Sequence, residues 1–391
     1  MKAYIGWVTR QERAIDTIED LAVRPPDLAS FWRECMGVIR SVVPYFWAPC
    51  FFTLDPASLL ITSHFHEGMD EFPRDALIME YYDVDDPHRL IDVVRSKIGV
   101  STLHEVTGGD PRGTSRWRAN MAMGGDQELT ARLRTKQGET WGALSLYREP
   151  GAALFDDDDK RFIQAIGPQL AAGAQRAMIL GEATDPELPD SPGLVVLGMN
   201  WEIVSESPTA RHWMRLLPDG NLDAGRMPSS VLSVAARSLD PAGAAAAFAR
   251  VRATDGSWVL LHGSALVGPE RPQTAVIFEP AHPARIYPLL MSACGLTERE
   301  RDVVELVLNG ASTAEIANTL VLSPLTVQNH LSNVFDKTGV RSRRDLVGKV
   351  FFTHYEPRLR DNERRVIAAK PSRGGPAVPV ANRRVSTAAQ R

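Results

Sequence analysis

The spacing of apolar side chains switches between helical and strand periods along this chain, and each switch marks an element. Ile15, Ile18 and Leu21 share one helical face before the break at Pro25–Pro26. A second helix, from about Leu28 to Val43, puts Phe31, Trp32, Cys35, Val38, Ile39 and Val42 on its buried side. Two β-rich runs follow, Trp47–Leu54 and Leu59–His64, separated by the turn residues Asp55–Pro56. Pro73–Ser96 reads as mostly helical, and TGGDPRGTS at Thr107–Ser115 as a loop. Glu128–Thr135 and Thr140–Tyr147 form a hairpin around Gly138. Phe155–Leu180 is then one long helix, with Asp156–Asp159 in its first turn, where negative charge complements the helix dipole.

The pattern breaks at Glu182–Gly193, where three prolines and several acids read as a linker. Beyond it, Leu194–Leu197 and Glu202–Val204 form a hairpin across Asn200. Ser207–Pro208 caps a helix to about Leu217, and the Ala-rich run 242–250 is expected to be helical. Arg250–Ala253, Trp258–Val267 and Thr274–Phe278 complete a strand set, the first two joined by Asp255–Gly256. Pro280–Gly295 is a connector.

From Leu296 to Phe352 the punctuation is dense. Thr297 with Glu300 and Ser312 with Glu315 are capping boxes, in which the hydroxyl accepts the third helical N–H and the carboxylate reaches back. Ser323 is an N-cap followed by Pro324 at the first helical position, where its missing N–H costs nothing. Ser342 with Asp345 opens a fourth helix. Gly310 and Gly339 stand where helices end in a left-handed residue. The second and third helices, about Thr313–Thr319 and Pro324–Lys337, are joined only by Leu320–Ser323, the layout of a DNA-reading helix-turn-helix. In the third, Val327, Leu331, Val334 and Phe335 form an apolar stripe. The opposite face carries Leu325, Thr326, Asn329, Ser332, Asn333 and Asp336, with Gln328 and His330 at its margins. Small amides and hydroxyls suit base edges in a major groove, Asn and Gln pairing bidentately with adenine.

This segment resembles the LuxR-type (FixJ-type) DNA-binding domain, a four-helix module of bacterial transcription regulators. The matching residues are LTERE at 296–300, NG at 309–310, EIA at 315–317, the run from Ser323 to Val327, His330, Lys337, and GVRSR at 339–343. The family often carries Lys directly after the TV pair and a basic residue four positions later. This chain has Gln328 and Ser332 instead, so the family's base preferences do not carry over. The resemblance implies double-stranded DNA as partner, with Ser323, Leu325, Thr326, Gln328, Asn329, Ser332, Asn333, Lys337, Arg341 and Arg343 as its contacts. It also implies a homodimer on DNA, for which Leu346, Val347, Val350 and Phe351 are the candidate residues. Further upstream, WGALSLYREPGAALFDDDDKRFIQAIGPQLA at 141–171 resembles the C-terminal part of GAF-type sensory domains. The strand, strand, helices, three-strand order beyond the linker resembles a PAS-like domain.

The expected fold is therefore multidomain α+β: antiparallel-sheet sensory domains followed by an all-α four-helix helix-turn-helix domain. Its parts are a GAF-like domain at 1–181, the linker 182–193, a PAS-like domain at 194–279, the connector 280–295, the helix-turn-helix domain at 296–355 and a basic tail at 356–391. At 391 residues the chain is too long for one ordinary core. Charge is unevenly spread. Residues 1–295 hold 28 Lys+Arg against 38 Asp+Glu, residues 296–355 hold 7 of each, and the tail holds 9 against 3. A neutral DNA-binding module depends on where its cations sit, and the tail has the composition of a solvated, disordered end.

Cys35, Cys50 and Cys294 are far apart and odd in number, without metal or disulfide spacing, which fits a reducing compartment. No apolar leader or membrane-length run stands out, so a cytoplasmic protein is expected. His64, His66 and Glu67 place two imidazoles on one strand face without a third ligand, and read as a solvated strand end. No receiver-type acid pair, nucleophile elbow, P-loop or dinucleotide fingerprint occurs, so neither catalysis nor a cofactor is expected. Trp47, Phe51 and Trp141, with Trp201 and Trp258, lie in or beside predicted strands and are the candidate lining of a pocket for a small-molecule effector. The alternative reading is a protein-interaction scaffold whose helix-turn-helix binds DNA only non-specifically.

Overall fold

Where the chain leaves the break at Pro25, the Asp27 carboxylate accepts the Ser30 N–H at 2.8 Å and starts a new helix. That cap sets α2 (Leu28–Val42) back against α1 (Lys2–Val23). The computed structural model describes residues 2–25, 27–46, 49–66, 85–179, 192–240, 247–267, 272–281, 285–286, 289, 291, 294–350 and 363–368. They group into two units, Met1–Pro280 and Ala281–Arg391.

The first unit holds two antiparallel five-stranded sheets. β1 (Cys50–Leu54), β2 (Ile61–Phe65), β3 (Val100–Thr102), β4 (Gln127–Arg134) and β5 (Thr140–Arg148) make one, ordered β2–β1–β5–β4–β3. β6 (Gly193–Leu197), β7 (Ile203–Glu206), β8 (Phe248–Arg252), β9 (Trp258–Leu266) and β10 (Gln273–Pro280) make the other, ordered β7–β6–β10–β9–β8. Counted from the start of each sheet, the two orders are the same.

Strand alternation divides the first sheet's side chains between two cores. Phe51, Leu129, Leu144 and Leu146 pack with α1, α2 and the long helix that follows β5, while Phe52, Leu54, Ala143 and Tyr147 point the other way. Phe51 stacks on Trp32 with ring centroids 4.2 Å apart. Between β2 and β4 the chain also forms the short helices α3 (Leu90–Arg95), α4 (Leu103–Val106) and α5 (Ser115–Ala122). There the Arg116 guanidinium forks onto Glu128 at 2.6 and 2.7 Å and reaches Asp86 at 3.1 Å. Asn120 donates to the same glutamate at 2.8 Å. Burial alone would raise the Glu128 carboxyl, but the Arg116 charge and hydrogen bonds, joined by His88 and the Asn120 amide, together hold it below its ordinary value. The long helix α6 (Asp157–Ile179) starts on an aspartate-rich turn, and Asp159 also accepts Arg148 at 3.0 Å.

The second sheet's inner face is covered by α7 (Pro208–Leu216) and α8 (Ser229–Leu239). α8 lies between the sheets, against β9 and β10 on one side and β2 on the other. Its approach to β9 needs Gly263, where an added β-carbon would collide with the Val234 carbonyl oxygen. One hydrophobic core therefore runs from Phe52 and Leu54 through Val231 and Val234 to Val259 and Phe278.

Two carboxylates bind the halves reciprocally. Asp55, in the β1–β2 turn, accepts the Ala57 N–H of its own turn at 2.8 Å. From the other half it accepts the Arg250 backbone N–H at 2.8 Å and the Arg250 guanidinium at 2.6 and 2.8 Å. Asp219, between α7 and α8, accepts the His64 N–H at 2.5 Å and the Ser229 N–H at 3.0 Å.

Several expectations change here. Residues 248–250 of the Ala-rich run belong to β8, and 242–246 lie outside the described residues. The described helix lies upstream at α8, where the sequence pattern showed none. α8 is buried on nearly every side, so it lacks the one-sided stripe that reveals a surface helix. β3, α4 and α5 are too short to show a period. Part of the expected helical run Pro73–Ser96 lies outside the described residues, and α3 is its described helix. His64 is buried and stacked on Phe52 at 4.5 Å, not solvated, while Glu67 lies outside the described residues. No group of metal-holding side chains occurs among the described residues, and none of their helices is long and apolar enough to cross a membrane.

Removing Asp55 takes the paired carboxylate away from a buried guanidinium, so Asp55→Ala is expected to destabilise the first unit by about 3–5 kcal/mol in urea unfolding. A change within measurement error would show that the halves hold without this pair.

Burial also holds His88 neutral, its pKa down at about 4, and pushes Asp219 up to about 7. The signs oppose. The neutral histidine contributes stability present above pH 6.5 and lost as pH falls toward 4. The buried acid favours the folded state when protonated, a contribution lost as pH rises from 3.8 to 7. Relative to wild type, the stability of His88→Gln should rise less with pH between 4 and 6.5, and that of Asp219→Asn should rise more. Parallel pH–stability curves for the three proteins would contradict both assignments.

Candidate nucleic-acid interface

Two reciprocal caps open the helices of the second unit. Glu300 N–H donates to Thr297 Oγ1 at 3.3 Å while Thr297 N–H donates to Glu300 Oε2 at 2.7 Å, starting α9 (Glu298–Leu308). Ser312 and Glu315 repeat the exchange at 3.3 and 2.6 Å for α10 (Thr313–Leu320). Ser323 Oγ accepts the Thr326 N–H at 3.0 Å, and Pro324 begins α11 (Pro324–Thr338). Gly339, at φ +69°, ends that helix, and Ser342 Oγ accepts the Asp345 N–H at 3.1 Å ahead of α12 (Arg343–Val350).

α11 is split lengthwise. Val327, Leu331, Val334 and Thr338 are buried, within a core that includes Val303, Val307, Ile316 and Leu346. On its other side Leu325, Gln328, Asn329, Ser332 and Asn333 are exposed, and Ser323 is exposed at the cap. Gln328 is thus part of this face and not only at its margin. Thr326 and His330 are half-buried, and Thr326 Oγ1 lies 2.8 Å from Ser323 Oγ. The turn between α10 and α11 passes through Val321, left-handed at φ +56° and 89% exposed.

The cations divide into two groups. Lys337 Nζ donates to Glu300 Oε2 at 2.7 Å, tying the end of α11 to the start of α9. Burial would raise the Glu300 carboxyl, but Lys337 and the Thr297 cap hold it below its ordinary value. The Arg343 guanidinium donates to the Ala311 carbonyl in the α9–α10 turn. Both were expected to meet DNA, and both have partners inside the module. Arg341 and Arg344 are exposed. The Lys337 and Arg343 contacts join residues 37 and 32 positions apart, which no local pattern reports.

Of the residues expected at a dimer contact, Leu346 is buried, Val347 is 38% exposed, and the Val350 side chain and Phe351 lie outside the description. Of the expected pocket residues, Phe51 and Trp141 are fully buried, and Trp141 Nε1 donates to Glu139 at 3.3 Å. Trp47 lies outside the described residues. Trp201 packs on the shared core at φ +62°. In the tail, which was expected to be disordered, Glu363–Ile367 is helical with Arg365 buried.

Capped helices, a tight turn and a second helix with one buried and one polar side define a helix-turn-helix module. Residues 295–350 match the family model for bacterial regulatory proteins, luxR family. The spore germination protein GerE of Bacillus subtilis is 48% identical over 52 residues, 13% of this chain and 70% of that protein. The chain belongs to the luxR family through this module. A helix-turn-helix-type transcriptional regulator of Mycobacterium bovis is 54% identical over 52 residues, and the matched part spans 6% of that protein's length. A phycocyanobilin-bound GAF domain from a cyanobacterial phytochrome overlaps 44% of this chain and 96% of that chain, at 17% identity and a TM-score of 0.32. A likeness that slight does not establish the fold of the first unit.

A β-branched residue in the left-handed region is strained by roughly 1–2 kcal/mol. Val321→Asn, which tolerates that conformation, is expected to raise the stability of the C-terminal unit by about 1 kcal/mol in thermal unfolding. A lowered melting temperature would mean that Val321 makes a contact worth more than the strain.

Proposed function

We propose that the chain is a sequence-specific DNA-binding transcriptional regulator that lays α11 in the major groove. The exposed polar side of α11, opposite the buried Val327, Leu331 and Val334, is the observation that carries this reading. Asn329 and Gln328 offer paired donors and acceptors, Ser332 and Asn333 extend the same side, and Leu325, 72% exposed, suits a thymine methyl group. Ser323 and Arg341 supply phosphate contacts, with Lys337 and Arg343 contributing only what their internal partners leave free.

Residues 1–181 and 194–279 act as GAF-like and PAS-like sensory domains around the linker 182–193, and 280–295 connects them to the module at 296–355. The strand order common to both sheets, and the closing position of α6, support that assignment. Control by a small effector, a homodimer on DNA and a cytoplasmic location complete the reading. Among the described side chains of α12, the partly exposed Val347 is the apolar dimer contact.

The test is selection from a random duplex library. An enriched motif is expected, on which Asn329→Ala costs roughly 1–3 kcal/mol and relaxes one base position. Arg341→Ala should weaken all sequences alike and reduce the salt slope by about one. Salt-sensitive bulk binding with no enriched motif would replace this reading with that of an interaction scaffold.

A further inference from the structure

Between α1 and α2 lies an open groove of about 530 Å³, within the volume range of small-ligand sites, roughly 300–1,000 Å³. Its floor is made by Ala14, Val38 and Gly37, and its rim by Arg10 and Arg13. We propose that this groove binds a small organic anion with an apolar body, the two guanidinium groups taking its charge and the Gly37 floor its rings or chain.

Two independent features point to an occupant. Arg10 and Arg13 are exposed, one helical turn apart on the same side of α1, and neither forms an ion pair with a described residue. The only polar contact of the Arg10 guanidinium among the described residues is a long one, to the Ser41 carbonyl at 3.5 Å across the groove. Among the described residues that line the groove there is no carboxylate. Planar guanidinium forks that lack carboxylate partners recognise carboxylate, sulfonate or phosphate groups.

The second feature is Gly37. A glycine inside a helix is destabilising relative to alanine, and packing usually explains it. Here a β-carbon would meet nothing within 4 Å. Nothing described in this chain fills the space that a β-carbon there would enter, so a flat or slender body can lie directly on α2. The hydroxyls of Thr17 and Ser41 are turned back onto their own helices, to Arg13 and Val38 carbonyls at 2.7 Å each, so the floor between the arginines is apolar. A second copy docking symmetrically through the same groove brings like-charged arginines together, which favours a small anion as the occupant.

The site relies on the effector-controlled reading above only for its consequence, so binding and control are measured separately. The full chain is titrated with 1-anilinonaphthalene-8-sulfonate and with N-phenyl-1-naphthylamine, the same rings without the sulfonate. Saturable one-to-one binding is expected, about tenfold tighter for the sulfonate. Arg10→Gln combined with Arg13→Gln should erase that preference. Gly37→Leu should weaken both probes about tenfold while leaving the melting temperature no lower than wild type, because the new side chain enters open space. Arg95→Gln, on α3, should leave both affinities unchanged. Equal affinities for the two probes, or undiminished binding by Gly37→Leu, would overturn the site. A monomer–dimer equilibrium that shifts with Gly37→Leu would also overturn it, assigning the groove to a second copy. Operator affinity with and without the sulfonate then reads control, and its failure leaves a proven site standing.

Discussion

A carboxylate with no access to water must be surrounded by donors, and Asp55 meets that demand by taking most of them from the other half of the first unit. One N–H comes from Ala57 in its own turn. The rest come from the backbone and guanidinium of Arg250, 195 residues later. Asp219 returns the arrangement by accepting the backbone of His64. Backbone donors cannot change rotamer, so these contacts hold β8 to the β1–β2 turn, and β2 to the segment between α7 and α8, more firmly than pairs of side chains would. The apolar core around α8 provides the bulk of the driving force, and the two aspartates decide which relative placement of the sheets gives these buried polar groups their partners.

The second unit uses charge in a different way. Glu300 serves at once as capping-box acid and as the partner of Lys337, so one carboxylate both opens α9 and ties the last turn of α11 to it. Arg343 does the same for the turn before α10. In a module whose formal charge is zero, this leaves few cations for phosphates and places more of the burden of recognition on the uncharged side of α11. The replacement of the family's basic residues by Gln328 and Ser332 acts in the same direction.

What could be read from the sequence follows from how far each determinant reaches. Thr297 with Glu300, Ser312 with Glu315 and Ser323 with Pro324 were visible because cap and capped N–H lie within three residues. The stripe of α11 was visible because one of its sides is polar. α8 was not, since SSVLSVAARSL is enclosed from both directions and its serines are buried along with its valines. The engagement of Lys337 and Arg343 was hidden for another reason: a basic residue looks the same in sequence whether it faces a phosphate or a distant glutamate. His64 looked like a solvated strand end because what covers it is not local in sequence: its ring stacks on Phe52 of β1, and its backbone N–H donates to Asp219, 155 positions away.

The position of α8 has a consequence for how such a chain can be taken apart or recombined. A helix that closes two sheets at once cannot be assigned to either of them. Cutting in the stretch before β6 would leave Phe52 and Leu54 facing solvent on one fragment and the outer side of α8 bare on the other. The front of the chain therefore recombines only as a single block, and a sheet-by-sheet exchange with a relative would fail unless the surface that meets α8 travelled with it.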